Sequence, residues 1–116
     1  MKIFIICSVR GASEEYRNKL EAYVAKLESE GNTVHLPHRD TNQTATGFEI
    51  CGQNAKAIFD ADEVHIFYNP ESQGTHFDMG VAFAHGKTIK VVESEPVKPG
   101  KSFANMLTEW ESLKAL

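Results

Sequence analysis

Lys2-Ile3-Phe4-Ile5-Ile6-Cys7 is a nearly continuous run of β-branched and aromatic residues, broken at Ser8-Val9-Arg10-Gly11 and followed from Ser13 by apolar residues at helical spacing. A strand apolar at almost every position is covered on both faces, as in parallel sheets with helices on either side. Tyr16, Leu20, Tyr23, Val24 and Leu27 form the inner stripe of the helix, and Gly31 stands where a C-terminal stop belongs. One strand, one loop and one helix of about five turns are thus written into the start of the chain.

The alternation continues outward. Residues 33–36 predict a short second strand closed by Pro37, and the polar stretch 38–47 has the Thr, Asn and Gly content of a loop. Residues 48–60 predict a helix with Ile50, Ala57, Ile58 and Phe59 on its apolar face, and 64–68 a third strand ended by the turn signal Asn69-Pro70. Glu71-Ser72-Gln73-Gly74 leads to a helix over 75–85 with Gly86 as its stop. Residues 88–92 predict a fourth strand, 93–100 a Pro-bearing connection, and Phe103, Met106, Leu107, Trp110 and Leu113 a last amphipathic helix. Strict alternation with right-handed crossovers predicts an α/β fold: a three-layer, flavodoxin-like or Rossmann-like domain. Its parallel sheet is expected to have four or five strands in the order 2-1-3-4(-5). Core packing is the expectation for Phe48, Phe59, Phe67, Phe77, Phe83 and Phe103, with stacking on a base as the alternative for Phe77, which adjoins Asp78.

With 116 residues the chain is expected to form a single domain over 1–116, because halving it would leave cores too small to be stable. Twelve basic against sixteen acidic side chains give a formal charge of −4, with no basic cluster, which argues against binding a nucleic-acid polymer by phosphate neutralisation. No apolar stretch approaches the roughly 20 residues that span a bilayer, and 3–6 is too short for a signal segment, so no membrane partner and a cytoplasmic location are expected. Cys7 and Cys51 form no C-x-x-C pair and read as two reduced thiols, mostly buried. His35, His38, His65, His76 and His85 match no metal-ligand spacing, so neither metal nor cofactor is expected, and His65 reads as a satisfied core histidine.

In such sheets ligands bind beyond the carboxyl ends of the strands where the strand order reverses, here between the first and third strands. Ser8, Arg10 and Gly11 then sit at a helix start, where free N–H groups and the dipole favour an anion, unless Ser13 and Gly11 do no more than cap and turn. Asp78 falls in the first turn of the helix after strand three. Thr75 and Asp78 fit the capping-box spacing, in which the acid would only satisfy backbone donors. Gly74 would let a ligand approach the backbone, and Gly80 would mark close packing of helix on sheet. His76, two positions before Asp78, reads as a general acid or as a solvent-facing side chain.

Three segments together carry a resemblance: Cys7-Ser8-Val9-Arg10-Gly11, Ala61-Asp62-Glu63-Val64, and Ser72-x-Gly74-Thr75-x-Phe77-Asp78-x-Gly80-x-Ala82. They resemble the nucleoside 2-deoxyribosyltransferase family, which includes 2′-deoxynucleoside 5′-phosphate N-hydrolases, over roughly residues 2–92. The resemblance implies the same fold, a homodimer, and cleavage of an N-glycosidic bond through a carboxylate nucleophile. It puts Asp78 at the nucleophile position, where the family usually has Glu, and Asn54 where it usually has Asp. Asn54 can hydrogen-bond a sugar or base but cannot transfer a proton. On this reading Cys7, Ser8, Arg10, Ser72 and the N–H groups around Gly11 and Gly74 position the sugar and any 5′-phosphate, while the base lies toward His38. The substrate would be a nucleoside or its 5′-monophosphate. The two departures from the family pattern motivate an alternative, a nucleotide-binding or sensing protein without catalysis. A receiver domain would need acidic residues where Cys7-Ser8 and Asn69-Pro70 stand.

Overall fold

A computed structural model describes residues 1–113. The elements are β1 (Lys2–Ile6), α1 (Glu14–Ser29), β2 (Thr33–His35), α2 (Pro37–Asp40), α3 (Gly47–Asp60), β3 (Glu63–Phe67), α4 (Gln73–Ala84), β4 (Thr88–Glu93) and α5 (Phe103–Leu113). The four strands described are all parallel, in the order β2-β1-β3-β4. This is the α/β architecture that the alternation of patterns predicts. Residues 114–116 of the expected domain lie outside the described residues.

Both faces of β1 are covered, and its side chains sort by parity. Ile3, Ile5 and Cys7 join Leu20 and Val24 of α1, with Val34, Leu36 and Phe67. Phe4 and Ile6 join Ile58 of α3, Met79 and Ala82 of α4, and Leu107 of α5, together with Val64, Ile66 and Ile89. One helix therefore covers one face and three helices the other. Alternate side chains of a strand point to opposite faces, so a strand between two helical layers must be apolar on both, as β1 is from Ile3 to Ile6.

Helix ends follow local chemistry. Ser13 caps α1 by accepting from the Tyr16 N–H at 3.0 Å, with Glu14 and Glu15 in the first turn to complement the dipole. Gly31, at φ +94°, lets the chain leave α1 in a conformation that other residues resist. His65, buried in β3, is satisfied by the Tyr23 hydroxyl at Nδ1 and Glu63 at Nε2, both at 2.7 Å.

Several expectations are corrected. The stretch expected as a loop from residue 38 begins with α2, because Pro37, lacking an N–H, suits a first helical turn and Asp40 accepts from the Leu36 N–H at 2.9 Å. Helix α4 begins at Gln73, two residues earlier than expected. Ser72 is its cap, accepting from the Thr75 N–H at 3.1 Å. The Thr75–Asp78 capping box is therefore overturned: both side chains are buried, and Asp78 lies in the second turn, beyond the free backbone donors. A Cβ on Gly80 would meet nothing within 4 Å, so Gly80 does not mark a tight helix–sheet contact. Cys7 is buried, but Cys51 is only half-buried.

Of the six phenylalanines expected in the core, only Phe67 is there. Phe48, Phe59, Phe77, Phe83 and Phe103 are exposed, Phe48 at 90%. Three helices already cover that face of the sheet through Ile58, Met79, Ala82 and Leu107, so these rings are left on the outer surface of the layer. No helix among the described residues is long and apolar enough to cross a membrane.

Candidate functional site

The strand order reverses between β1 and β3, and the loops that leave these two strands are joined directly. Asn69, just after β3, donates from Nδ2 to the Ser8 hydroxyl at 2.8 Å and accepts from the Glu71 N–H at 2.9 Å. The same amide thus closes the turn after β3 and ties it to the loop after β1. Gly11 takes φ +73°, a conformation favouring glycine, and turns the loop into the N-terminus of α1. The result is a cavity of about 330 Å³ lined by Ser8, Arg10, Gly11, Ala12, Ser13, Tyr16 and Asn69. Arg10 is exposed at its rim.

Within electrostatic reach of Cys7, which follows β1, lies a buried carboxyl group. Asp78 is on the inner stripe of α4 with Thr75, Met79 and Ala82, and only 4% of its surface is exposed. Asn54 of α3, also buried, donates from Nδ2 to Asp78 Oδ2 at 3.5 Å. Burial pushes the Asp78 carboxyl up from 3.8 to about 7, against the opposing pull of the Asn54 N–H. Removal from water disfavours the ion, and one long hydrogen bond returns only part of the loss. Asp78 also raises the Cys7 thiol: burial, then the nearby carboxylate, takes it to about 12, so Cys7 is a neutral, inert thiol at physiological pH. Tyr16 is likewise held neutral, pushed up to about 12 chiefly by burial, against the opposing pull of the Ser8 backbone.

The residues singled out in the sequence therefore fall into groups. Asp78 and Asn54 meet, with Cys7 within electrostatic reach. Ser8, Arg10 and Gly11 line the cavity, which Asp78 does not itself line. Ser72 is spent on capping α4, and Gly74, in the first turn, has open space where a Cβ would stand. His38 on α2 pairs with Glu21 of α1 at 3.3 Å. His76 is held by the Tyr68 hydroxyl at 3.0 Å and the Ser72 carbonyl at 2.7 Å, with its ring against Phe103. Two residues before Asp78, it projects roughly 200° away around α4 and is not aimed at the carboxyl group.

Four participants escaped the sequence. Tyr16 read only as part of the α1 stripe, and Asn69 only as a turn residue. Thr75, whose buried hydroxyl lacks a hydrogen-bond partner among the described residues, read only as a cap. Thr41, which donates to Asn54 Oδ1 at 2.6 Å, lay in a stretch read as a loop. A second cavity, of about 310 Å³, runs along the outer edge of the sheet from Lys2 and Thr33 to His35 and Asp40. The two are similar in size, so position decides between them, and the carboxyl ends of the strands favour the first.

Solved structures share this fold. The chain is similar to the Clostridium botulinum CMP N-glycosidase, with 23% identity over 93% of this chain and 81% of that one and a TM-score of 0.64. A 2-deoxyribosyltransferase from Bacillus psychrosaccharolyticus matches at 16% identity over 100% of this chain and 92% of that one, with a TM-score of 0.71. A conserved protein from Enterococcus faecalis matches at 15% identity over 97% and 74%, with a TM-score of 0.68. Neither a protein-family model nor a curated protein sequence matches this chain. The class defined here is the α/β fold with a four-stranded parallel sheet of order 2-1-3-4 among the described residues. Within that class, the fold is the one that this chain shares with the N-glycosidase and the deoxyribosyltransferase, as the resemblance in the sequence implied.

Proposed function

We propose that the protein cleaves the bond between base and sugar of a nucleoside or nucleoside 5′-monophosphate, with Asp78 as nucleophile. The observation that carries this reading is a carboxyl group buried within electrostatic reach of Cys7 at the end of β1, with its pKa near 7. Such perturbed groups concentrate where chemistry is done. The solved N-glycosidase and deoxyribosyltransferase of the same fold support it.

In the first step an Asp78 oxygen bonds to C1′ as the glycosidic bond breaks, and the base leaves with the bonding pair and takes a proton from water. In the second, water adds its oxygen to C1′ and gives up a proton to solvent, replacing the one the base took, while the ester bond breaks and the carboxylate is restored; a second base that attacks through a ring nitrogen and loses its proton to solvent gives transfer. Asn54 donates a hydrogen bond to Asp78, and its amide proton is too weakly acidic to be transferred to the leaving base. Arg10, Ser8 and the N–H groups at the start of α1 receive the sugar and a 5′-phosphate.

The test is base release, followed by chromatography, from nucleosides, deoxynucleosides and their 5′-monophosphates. Release from monophosphates is expected to exceed that from nucleosides. Arg10→Ala is expected to raise KM for the monophosphate by about tenfold, the equivalent of one charge-assisted contact, and to leave the nucleoside KM within about twofold. Equal effects on both would remove Arg10 from phosphate binding. No release from any substrate, combined with nucleotide-induced thermal stabilisation, would favour the sensing reading instead.

The working form is proposed to be a cytoplasmic homodimer, which two unpaired thiols and an exposed aromatic surface support. Phe59 packs on His85 and Phe83 on Trp110, each at 5.2 Å, so that aromatic rings run across the outer sides of α3, α4 and α5. Sedimentation equilibrium at micromolar concentration is expected to give twice the chain mass, and Phe83→Asp to give the monomer. A wild-type monomer throughout would refute this assembly.

A further inference from the structure

Asn54 does not reach Asp78 unaided. Its amide is held from behind by a chain of buried or half-buried groups that begins on the edge strand β2. His35 Nε2 lies 2.8 Å from Thr41 Oγ1, Thr41 Oγ1 donates to Asn54 Oδ1 at 2.6 Å, and Asn54 Nδ2 faces Asp78 Oδ2 at 3.5 Å. A hydroxyl has one proton. Thr41 spends its proton on Asn54, so toward His35 it accepts, and the His35 ring must carry its hydrogen on Nε2.

We infer that His35 and Thr41 are positioning residues: the hydrogen-bond chain from the His35 ring through the Thr41 hydroxyl fixes which end of the Asn54 amide faces Asp78. This deepens the reading of Asp78 as nucleophile and rests on it. An amide has two ends of nearly equal size, and only one suits a carboxylate. With Oδ1 held by Thr41, Nδ2–H points at Asp78 and favours the ion. Turned over, the amide would present Oδ1 and favour the protonated acid, which cannot attack C1′.

The surroundings are consistent with this polarity. Thr41 and Asn54 are buried, so neither finds a substitute partner in water. His35 is stacked on Phe4 with ring centroids 5.2 Å apart, which fixes the ring plane. Its charged neighbours on α2 are Asp40 and Arg39, and its pKa is lowered, chiefly by burial, with Arg39 adding and Asp40 opposing. The neutral ring, with hydrogen on Nε2, is therefore the form that feeds the chain. Within electrostatic reach of Asp78 is the Cys7 thiol, which stays protonated.

The experiment follows the carboxyl carbon of Asp78 by NMR through a pH titration of the full chain, with Asp78→Asn identifying the signal, and measures base release alongside. Thr41→Val and His35→Leu are each expected to raise the Asp78 pKa by roughly 0.5 or more and to lower kcat with little change in KM. His35→Gln keeps an N–H in reach of Thr41 and is expected to restore both toward wild type. A role confined to packing would not make glutamine better than leucine. The inference is overturned if Asp78 titrates as in wild type in either folded loss variant, or if His35→Gln behaves as His35→Leu. If the wild type releases no base, the proposed function fails, yet the titrations still decide whether His35 and Thr41 orient Asn54.

Discussion

Asp78→Asn is expected to abolish base release, by a thousandfold or more, and in the same protein to raise the melting temperature by roughly 5 °C or more. The two effects have one cause. Moving a carboxyl pKa from 3.8 to about 7 means that, above pH 7, the folded state bears on the order of 4 kcal/mol for keeping the ion buried, at about 1.4 kcal/mol per pKa unit. The asparagine side chain has the same shape, carries no charge, and its carbonyl still accepts from Asn54. Recovering even half of that energy, at roughly 4 °C per kcal/mol for a domain of this length, gives the stated rise. Base-release assays and thermal melts at pH 7.5 on the two proteins check both halves. A variant that loses stability would show that the carboxylate is held by more than burial and Asn54.

The second large effect is a pair of opposed pH profiles. Attack on C1′ needs the ionised carboxylate, so kcat/KM is expected to rise about tenfold per pH unit up to about 7 and then level, leaving roughly a hundredth of the plateau rate at pH 5. Stability runs the other way. A carboxyl whose folded pKa lies above its unfolded value contributes stability that is fully present below about 4 and is lost as pH rises through about 7. Asp78→Asn is expected to flatten this component of the melting profile. A wild-type rate that does not change between pH 5 and 8 would remove Asp78 from the role of nucleophile.

The fold was legible where local pattern and topology agree. The unbroken apolar run of β1, the stripe of α1 and the stop at Gly31 need only local periodicity and chirality, and right-handed crossovers then leave few strand orders. The start of α4 was not, because Ser72 and Thr75 are equally good caps on paper. What decides is that the Thr75 side chain is drawn into the core, a tertiary effect. The exposed phenylalanines misled for a related reason: an apolar residue near a helix's inner stripe predicts burial, whereas Phe59 and Phe83 lie outside a sheet face that is already full. At the site, the family-like segments pointed to Asp78 and Asn54 as separate positions. Their meeting arises from the packing of α3 against α4, and the chain behind them needs α2 to bring Thr41 under Asn54. Neither can be read from spacing.

The central position of β1 also bears on how the chain is made. β1 is synthesised before both of its sheet partners, and the longer of them, β3, pairs Glu63 with Ile3, some sixty residues later. At about 5–20 residues per second, an emerging chain waits several seconds for that partner, holding Lys2-Ile3-Phe4-Ile5-Ile6 beside only the three-residue β2. A segment buried from Ile3 to Ile6 in the finished protein is thus the one left open longest on the ribosome. Aggregation during expression is expected to originate there, and slowing translation between β2 and β3 to worsen it.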